Sequence, residues 1–139
     1  MPSGAGYSFY TRFYPCELHR VIDGDTVELR CDLGFRISTV QRFRLNGYNA
    51  PEIRGPEAPF GKVAAIDLDN RLSSAVSLEV SSGKQGSFGR WLADIIVNNG
   101  EDRYRLVPKL VAEGYGVWWD GKPDRPQFPP GSKYPNPKF

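Results

Sequence analysis

The chain has 139 residues and a net charge of +2, with 40% hydrophobic and 24% charged residues. That is one domain with one core, too short for two and too apolar to be disordered, with no apolar run near the ~18 residues of a spanning helix. Two cysteines cannot by themselves build a disulfide framework or a zinc site, and so small a positive charge tolerates a nucleic-acid partner without arguing for one.

The first twenty residues lack the charged-then-apolar pattern of a signal peptide, so a cytoplasmic protein is expected. Residues 1–12, with Tyr7, Phe9 and Tyr10, read as an N-terminal arm. Tyr14 to Ile22 reads as a strand. Asp25 to Cys31 alternates Val27, Leu29 and Cys31 against Thr26, Glu28 and Arg30, the period of a half-buried strand. Asp23-Gly24 between them signals a two-residue hairpin turn with both central residues at positive φ. That turn sets Cys16 opposite Cys31 as a hydrogen-bonded pair, and without a secretion signal both are expected to be reduced thiols. Leu33-Gly34 suggests a looser second turn, and Ile37 to Leu45 a third strand.

Pro51 to Gly61 reads as loop. Beyond it Ala64, Ala65, Leu68, Leu72 and Ala75 share one helical face, with Lys62, Asp67, Asn70 and Arg71 elsewhere. Short strands at Val76–Val80 and Trp91–Val97 flank a turn at Gly83–Gly89. Val107-Pro108 opens a short helix, and Gly114 closes it as a left-handed cap. From Pro123 the composition shifts, and six of the last 17 residues are proline, so residues 120–139 read as an extended tail. The domain therefore spans residues 13–119. Three strands, helix, two strands, helix and tail predict an α+β, mainly β fold. It is a five-stranded barrel of the oligonucleotide/oligosaccharide-binding (OB) type with two appended helices. On pattern alone, a plain antiparallel sandwich is the alternative.

Four polar features sit at strand ends: Asp23-Gly24-Asp25-Thr26, Phe43-Arg44-Leu45, Asn49-Ala50-Pro51-Glu52 and Gly89-Arg90. Singly, each has an ordinary structural explanation in turn chemistry or a solvated strand end. Together they offer carboxylates, an amide and two arginines, the composition of a metal-assisted phosphate site.

VIDGDTVEL at Val21–Leu29, FRL at Phe43–Leu45, NAPE at Asn49–Glu52, GPEA at Gly55–Ala58, FGR at Phe88–Arg90 and LVAEG at Leu110–Gly114 resemble the staphylococcal nuclease (thermonuclease-like) family. The resemblance covers residues 13 to 117 in order and rough spacing. It implies an OB barrel with appended helices and a Ca2+-dependent endonuclease that cleaves DNA or RNA to leave 3′-phosphates. It places Asp25, Asn49 and the backbone carbonyl of Ala50 around the metal. Glu52 falls where the family orients or deprotonates the attacking water, and Arg44 and Arg90 where it grips the scissile phosphate. Phe88 maps beside the nucleotide as a stacking platform. Tyr115, Trp118 and Trp119 lie near the other nucleotide-facing aromatics. Tyr115 is the second candidate nucleic-acid contact, with packing roles open for all three.

Two departures bear on activity. Asn49 stands where the family has an aspartate, which removes one negative charge from the metal site and lowers its expected Ca2+ affinity. The family's final long helix is replaced by the proline-rich tail, so Trp118, Trp119 and Phe128 are expected to anchor that tail on the barrel. The expected partners are single- or double-stranded DNA or RNA, no membrane, and the expected state is a monomer. The alternatives are a catalytically impaired nucleic-acid-binding OB module, and a protein-interaction module using the PxxP-like spacing of Pro123, Pro126 and Pro129.

Overall fold

Five strands carry apolar side chains on alternate residues and close them into one core. They are β1 (Tyr14–Asp23), β2 (Thr26–Gly34), β3 (Ile37–Leu45), β5 (Ser77–Gln85) and β6 (Trp91–Asn98). The computed structural model describes residues 12–120, without the side chains of Lys84 and Ser87. The arm up to residue 11 and the tail from residue 121, with Phe128, lie outside the described residues. Hydrogen-bonded neighbours run β3-β2-β1-β5-β6, and β3 pairs with β6 to close the ring. The β3–β6 seam is parallel and the other four are antiparallel. This is the OB-type Greek-key barrel that the strand pattern predicts. Among the described residues, no helix is long and apolar enough to cross a membrane.

Inside the barrel Val27 and Leu29 of β2, Leu45 of β3, Val80 of β5 and Ile95 and Val97 of β6 are almost fully buried. Helix α1 (Ala58–Ser73) lies between the third and fourth barrel strands in sequence, packs against β1, and buries Ala64, Leu68 and Leu72. Helix α2 (Leu106–Ala112) buries Leu106, Val107 and Leu110. Gly114 ends it at φ 83°, and the Tyr115 N–H donates back to the Leu110 carbonyl at 3.0 Å. Arg71 of α1 is held by Asp67 one turn back at 3.0 Å and ties α1 to the end of α2 through Glu113 at 2.7 Å.

The structure corrects the expected elements at several points. The first hairpin turns at Gly24-Asp25, because Asp23 pairs with Thr26. Gly24 is not left-handed. It is glycine for lack of space: a Cβ there would lie 2.7 Å from the Ala50 Cβ and 3.0 Å from that of Ala64. Two bulges in β1, at Ile22 and His19, then restore the pairing of Cys16 with Cys31. The second hairpin also turns later, with Gly34, Phe35 and Arg36 all left-handed. Helix α1 begins at Ala58 rather than after Gly61, since Pro59 suits the first helical turn. Strand β5 runs past Val80 to Gln85 through a bulge after Ser81.

Three short strands escape a period-based reading. β4 (Tyr48–Asn49) pairs with β8 (Val117–Trp118), and β7 (Arg103–Arg105) pairs with β6. Two or three residues are too few to show a period. The β4–β8 ladder brings the C-terminal end of the domain beside the segment that follows β3. Trp118 is 56% exposed; the tail it is expected to anchor lies outside the described residues. Trp119 is partly buried, and its backbone N–H donates to the Gly47 carbonyl at 2.8 Å.

Helix α1 crosses the backbone of Glu52 at Gly61, where a Cβ would overlap the Glu52 carbonyl. Alanine there gains about 1 kcal/mol of helix propensity but forces backbone against backbone, at a cost of about 1–3 kcal/mol or more. The clash dominates because no flexible side chain can yield. Gly61→Ala should therefore lower the urea midpoint at unchanged m-value. A midpoint equal to or above the wild type would show that the 51–53 segment moves aside freely.

Candidate functional site

A cavity of about 600 Å³ opens on the outer wall of the barrel and collects residues from five separate stretches of chain. The β1–β2 turn supplies Asp23 and Asp25, the end of β3 Arg44, and the segment after β4 Glu52. The β5–β6 loop supplies Phe88 and Arg90, and the residues after β8 supply Trp119.

Asp25 is drawn inward by hydrogen bonds. Its carboxylate accepts from the Ala50 N–H at 3.1 Å and from the Thr26 hydroxyl at 3.1 Å. The Asp23 carboxylate accepts from the Asp25 N–H at 3.1 Å, so two acids sit on one turn. Burial, and then the neighbouring Asp23 charge, push the Asp25 carboxyl up to about 7, against the pull of Arg44 and the Ala50 N–H.

Arg44 is on β3 between the inward-facing Phe43 and Leu45, so strand alternation turns it to the outer wall. Its Nη2 donates to the Tyr48 carbonyl at 3.1 Å and the Asn49 Oδ1 at 3.3 Å, and lies 3.3 Å from the Asp25 carboxylate. The guanidinium stacks on the Trp119 ring at 5.5 Å. On the other side the β5–β6 loop is pinched by the Gly86 N–H donating to the Arg90 carbonyl at 2.6 Å. Phe88 and Gly89 take successive left-handed conformations at φ 61° and 71°. That backbone is unfavourable for phenylalanine. It leaves the ring 92% exposed, with the Arg90 guanidinium 5.4 Å from its centroid. Two arginine–aromatic stacks thus line one cavity.

Five of the eight residues singled out from sequence line the cavity: Asp25, Arg44, Glu52, Phe88 and Arg90. Asn49 is 1% exposed and lies behind them, its amide oxygen on Arg44. Ala50 is buried with its N–H on Asp25. Tyr115 is not among the lining residues. It packs half-buried on the core, with Arg71 over its ring at 5.8 Å. Trp119 holds the aromatic position on the Arg44 side. Only the β4–β8 ladder reveals this, and a two-residue ladder leaves no mark in sequence.

The oxygen donors suit a hard cation. Asp23, Asp25 and Glu52 offer carboxylates, with no sulfur or imidazole to favour zinc or copper. A buried carboxylate whose ionisation is opposed is also a place where a cation would relieve strain. Among the described residues no group of three or more His, Cys, Asp or Glu is placed to hold a metal ion. No protein-family model matches the chain, and the comparison with curated proteins returns no significant match.

The raised Asp25 carboxyl has a signed consequence for stability. Folded, it titrates near 7; its ordinary value is 3.8. The penalty for holding it ionised is absent below the ordinary value, grows as pH rises toward 7, and is complete above it. Asp25→Asn removes that penalty, so the variant should unfold later than wild type at pH 8, by on the order of 2–4 kcal/mol. The gap should close toward pH 4. A gap that stays constant across this range would place the burden elsewhere.

Proposed function

We propose that the chain is a metal-assisted phosphodiesterase acting on nucleic acid, an endonuclease of the thermonuclease type. The observation that carries this reading is the convergence of Arg44 and Arg90 from separate walls on a cavity that also holds Glu52 and the Asp23–Asp25 pair. Binding alone calls for positive charge. It does not call for carboxylates beside the phosphate-gripping groups, since these repel a polyanion.

A phosphodiester carries a charge that repels nucleophiles, and attack on phosphorus builds more charge on its non-bridging oxygens. Two guanidinium forks can each engage two such oxygens, a geometry that lysine cannot copy. Glu52 lines the cavity and is the group to align a water opposite the 5′ oxygen and take its proton as the O–P bond forms. The 5′ oxygen then leaves with a proton from solvent, and the phosphate stays on the 3′ side. A Ca2+ ion held by Asp25 and Asp23, with Asn49 behind them, would neutralise a non-bridging oxygen. Arg44 bonds Asp25, Asn49 and Tyr48, so it is preorganised at the cavity wall before any substrate arrives.

The substrate class follows from the aromatic faces. Phe88 and Trp119 offer stacking surfaces on two sides of the cavity, worth about 1–3 kcal/mol per base to a strand with unpaired bases. The β1–β2 turn and the β5–β6 loop are also the positions from which OB barrels hold oligonucleotides, an analogy of fold rather than of site. A second reading, a binding module without turnover, draws on the neutral Asn49 and on an Arg44 already engaged with Asp25.

Single-stranded DNA or RNA incubated with Ca2+ should be cut to 3′-phosphate ends, and a chelator should stop the cutting. No chelator-sensitive cleavage with Ca2+, Mg2+ or Mn2+ would leave the binding module as the surviving reading. Arg90→Lys should lower kcat at least about 100-fold with the circular dichroism spectrum intact; near-native turnover would remove Arg90 from the reaction. Asn49→Asp adds one negative charge and should tighten Ca2+ in a calorimetric titration. An unchanged or weaker dissociation constant would count against the proposed donor set.

A further inference from the structure

The chain has two cysteines, and the barrel places them opposite one another: Cys16 of β1 is the cross-strand partner of Cys31 of β2. Both are free thiols. They share the inward face of the hairpin, with Cys31 buried in the core and Cys16 packed half-buried against it. The pairing depends on the two bulges of β1. With the turn at Gly24-Asp25, an unbroken ladder would face Cys16 with Leu33; the extra residues Ile22 and His19 shift its partner to Cys31. Directly opposed residues of an antiparallel pair have Cα atoms about 4.5 or about 5.5 Å apart, depending on the type of pair. Either separation lies inside the ~4.4–6.8 Å range of disulfides.

We propose that Cys16 and Cys31 are a modification site, joining in a cross-strand disulfide when a low-molecular-weight disulfide such as oxidised glutathione is the oxidant. Cys16, the more accessible thiol, gives up its proton and attacks one glutathione sulfur, forming a mixed disulfide and releasing one glutathione. Cys31 then gives up its proton and attacks the Cys16 sulfur, which releases the second glutathione. Two protein thiols are oxidised, one glutathione disulfide is reduced to two thiols, and the two protons leave with them. Burial pushes the Cys16 thiol up to about 12 and the Cys31 thiol upward as well, so thiolate is scarce and the reaction is slow in the closed barrel. Local opening gives access, because among the described residues the β1–β5 ladder rests on Tyr14, Pro15 and Cys16 alone.

The bond would join β1, which lies between β2 and β5 in the ring, to its hairpin partner. The loop it closes carries Asp25, so oxidation would constrain the unfolded chain around the candidate site.

The test uses the full chain incubated with oxidised glutathione. Thiols are counted after denaturation, and the linkage is read by peptide mass spectrometry. The expected result is loss of both thiols together, a peptide joining Cys16 to Cys31, and a Tm raised by about 5 °C or more that dithiothreitol reverses. Cys16→Ala should stop at unmodified Cys31 or its glutathione adduct, with no rise in Tm. Persistent free thiols, a glutathione adduct as the wild-type end product, a linkage between two chains, or a Tm that does not rise would each overturn the proposal. A second arm denatures the chain, refolds it in the glutathione mixture and counts thiols again, so burial in the native barrel cannot hide a competent pair.

Discussion

The bond from the Ala50 N–H to the Asp25 carboxylate joins the first hairpin to the segment that follows β3. The cavity depends on it. Residues 25 and 50 are far apart in the chain, yet this contact sets the height of Glu52, two residues on, relative to the acidic turn. Arg44 bonds Asp25, Asn49 and Tyr48 together. A turn, a strand end and an extended segment thereby become one rigid unit. These contacts, at 3.1 to 3.3 Å, are largely buried, and a dry setting strengthens them.

That unit is also held by steric limits. Gly24 lets the turn approach Ala50, Gly61 lets α1 cross Glu52, and Gly116 leaves room for the Tyr48 ring and the Asn49 carbonyl. Each glycine faces a different part of the stretch from Tyr48 to Glu52, so that stretch lies in a slot with three walls. A carboxylate on a free loop would sample many positions; one seated like this has little freedom left to lose on engaging a ligand. The slot explains why a segment with little secondary structure of its own, buried from Tyr48 to Pro51, can position the exposed Glu52.

Much of the barrel was legible from sequence because half-buried strands alternate at period two, and the boundaries of Ile37–Leu45 were read as they stand. The strand-end residues around the cavity stood out as a set: singly each has an ordinary structural explanation, and only carboxylates, an amide and two arginines together suggest a phosphate site. What escaped were contacts between elements. Gly24 looks like a turn glycine, yet its role is close approach. The expected Cys16–Cys31 pairing holds, but through a later turn and two bulges, since one inserted residue leaves the composition of a strand unchanged. Tyr115 and Trp119 are four residues apart, and only the β4–β8 ladder decides that Trp119 reaches Arg44 while Tyr115 packs beside Arg71.

The same carboxylate that organises the site also weakens the fold. Burial of Asp25 beside Asp23 opposes its ionisation, and Arg44 compensates only in part. A core designed for stability would hold an amide at position 25. Position 49 does hold one, buried against Arg44 without adding a third negative charge. With aspartate at both positions, two buried acids would share one guanidinium, and the repulsion would grow unless a cation were bound tightly. Asn49 therefore lets the site fold with less strain. On the proposed reading the cost falls on metal affinity, and Asn49 is a compromise between a hairpin that must fold before it meets metal and a site that would need metal to act.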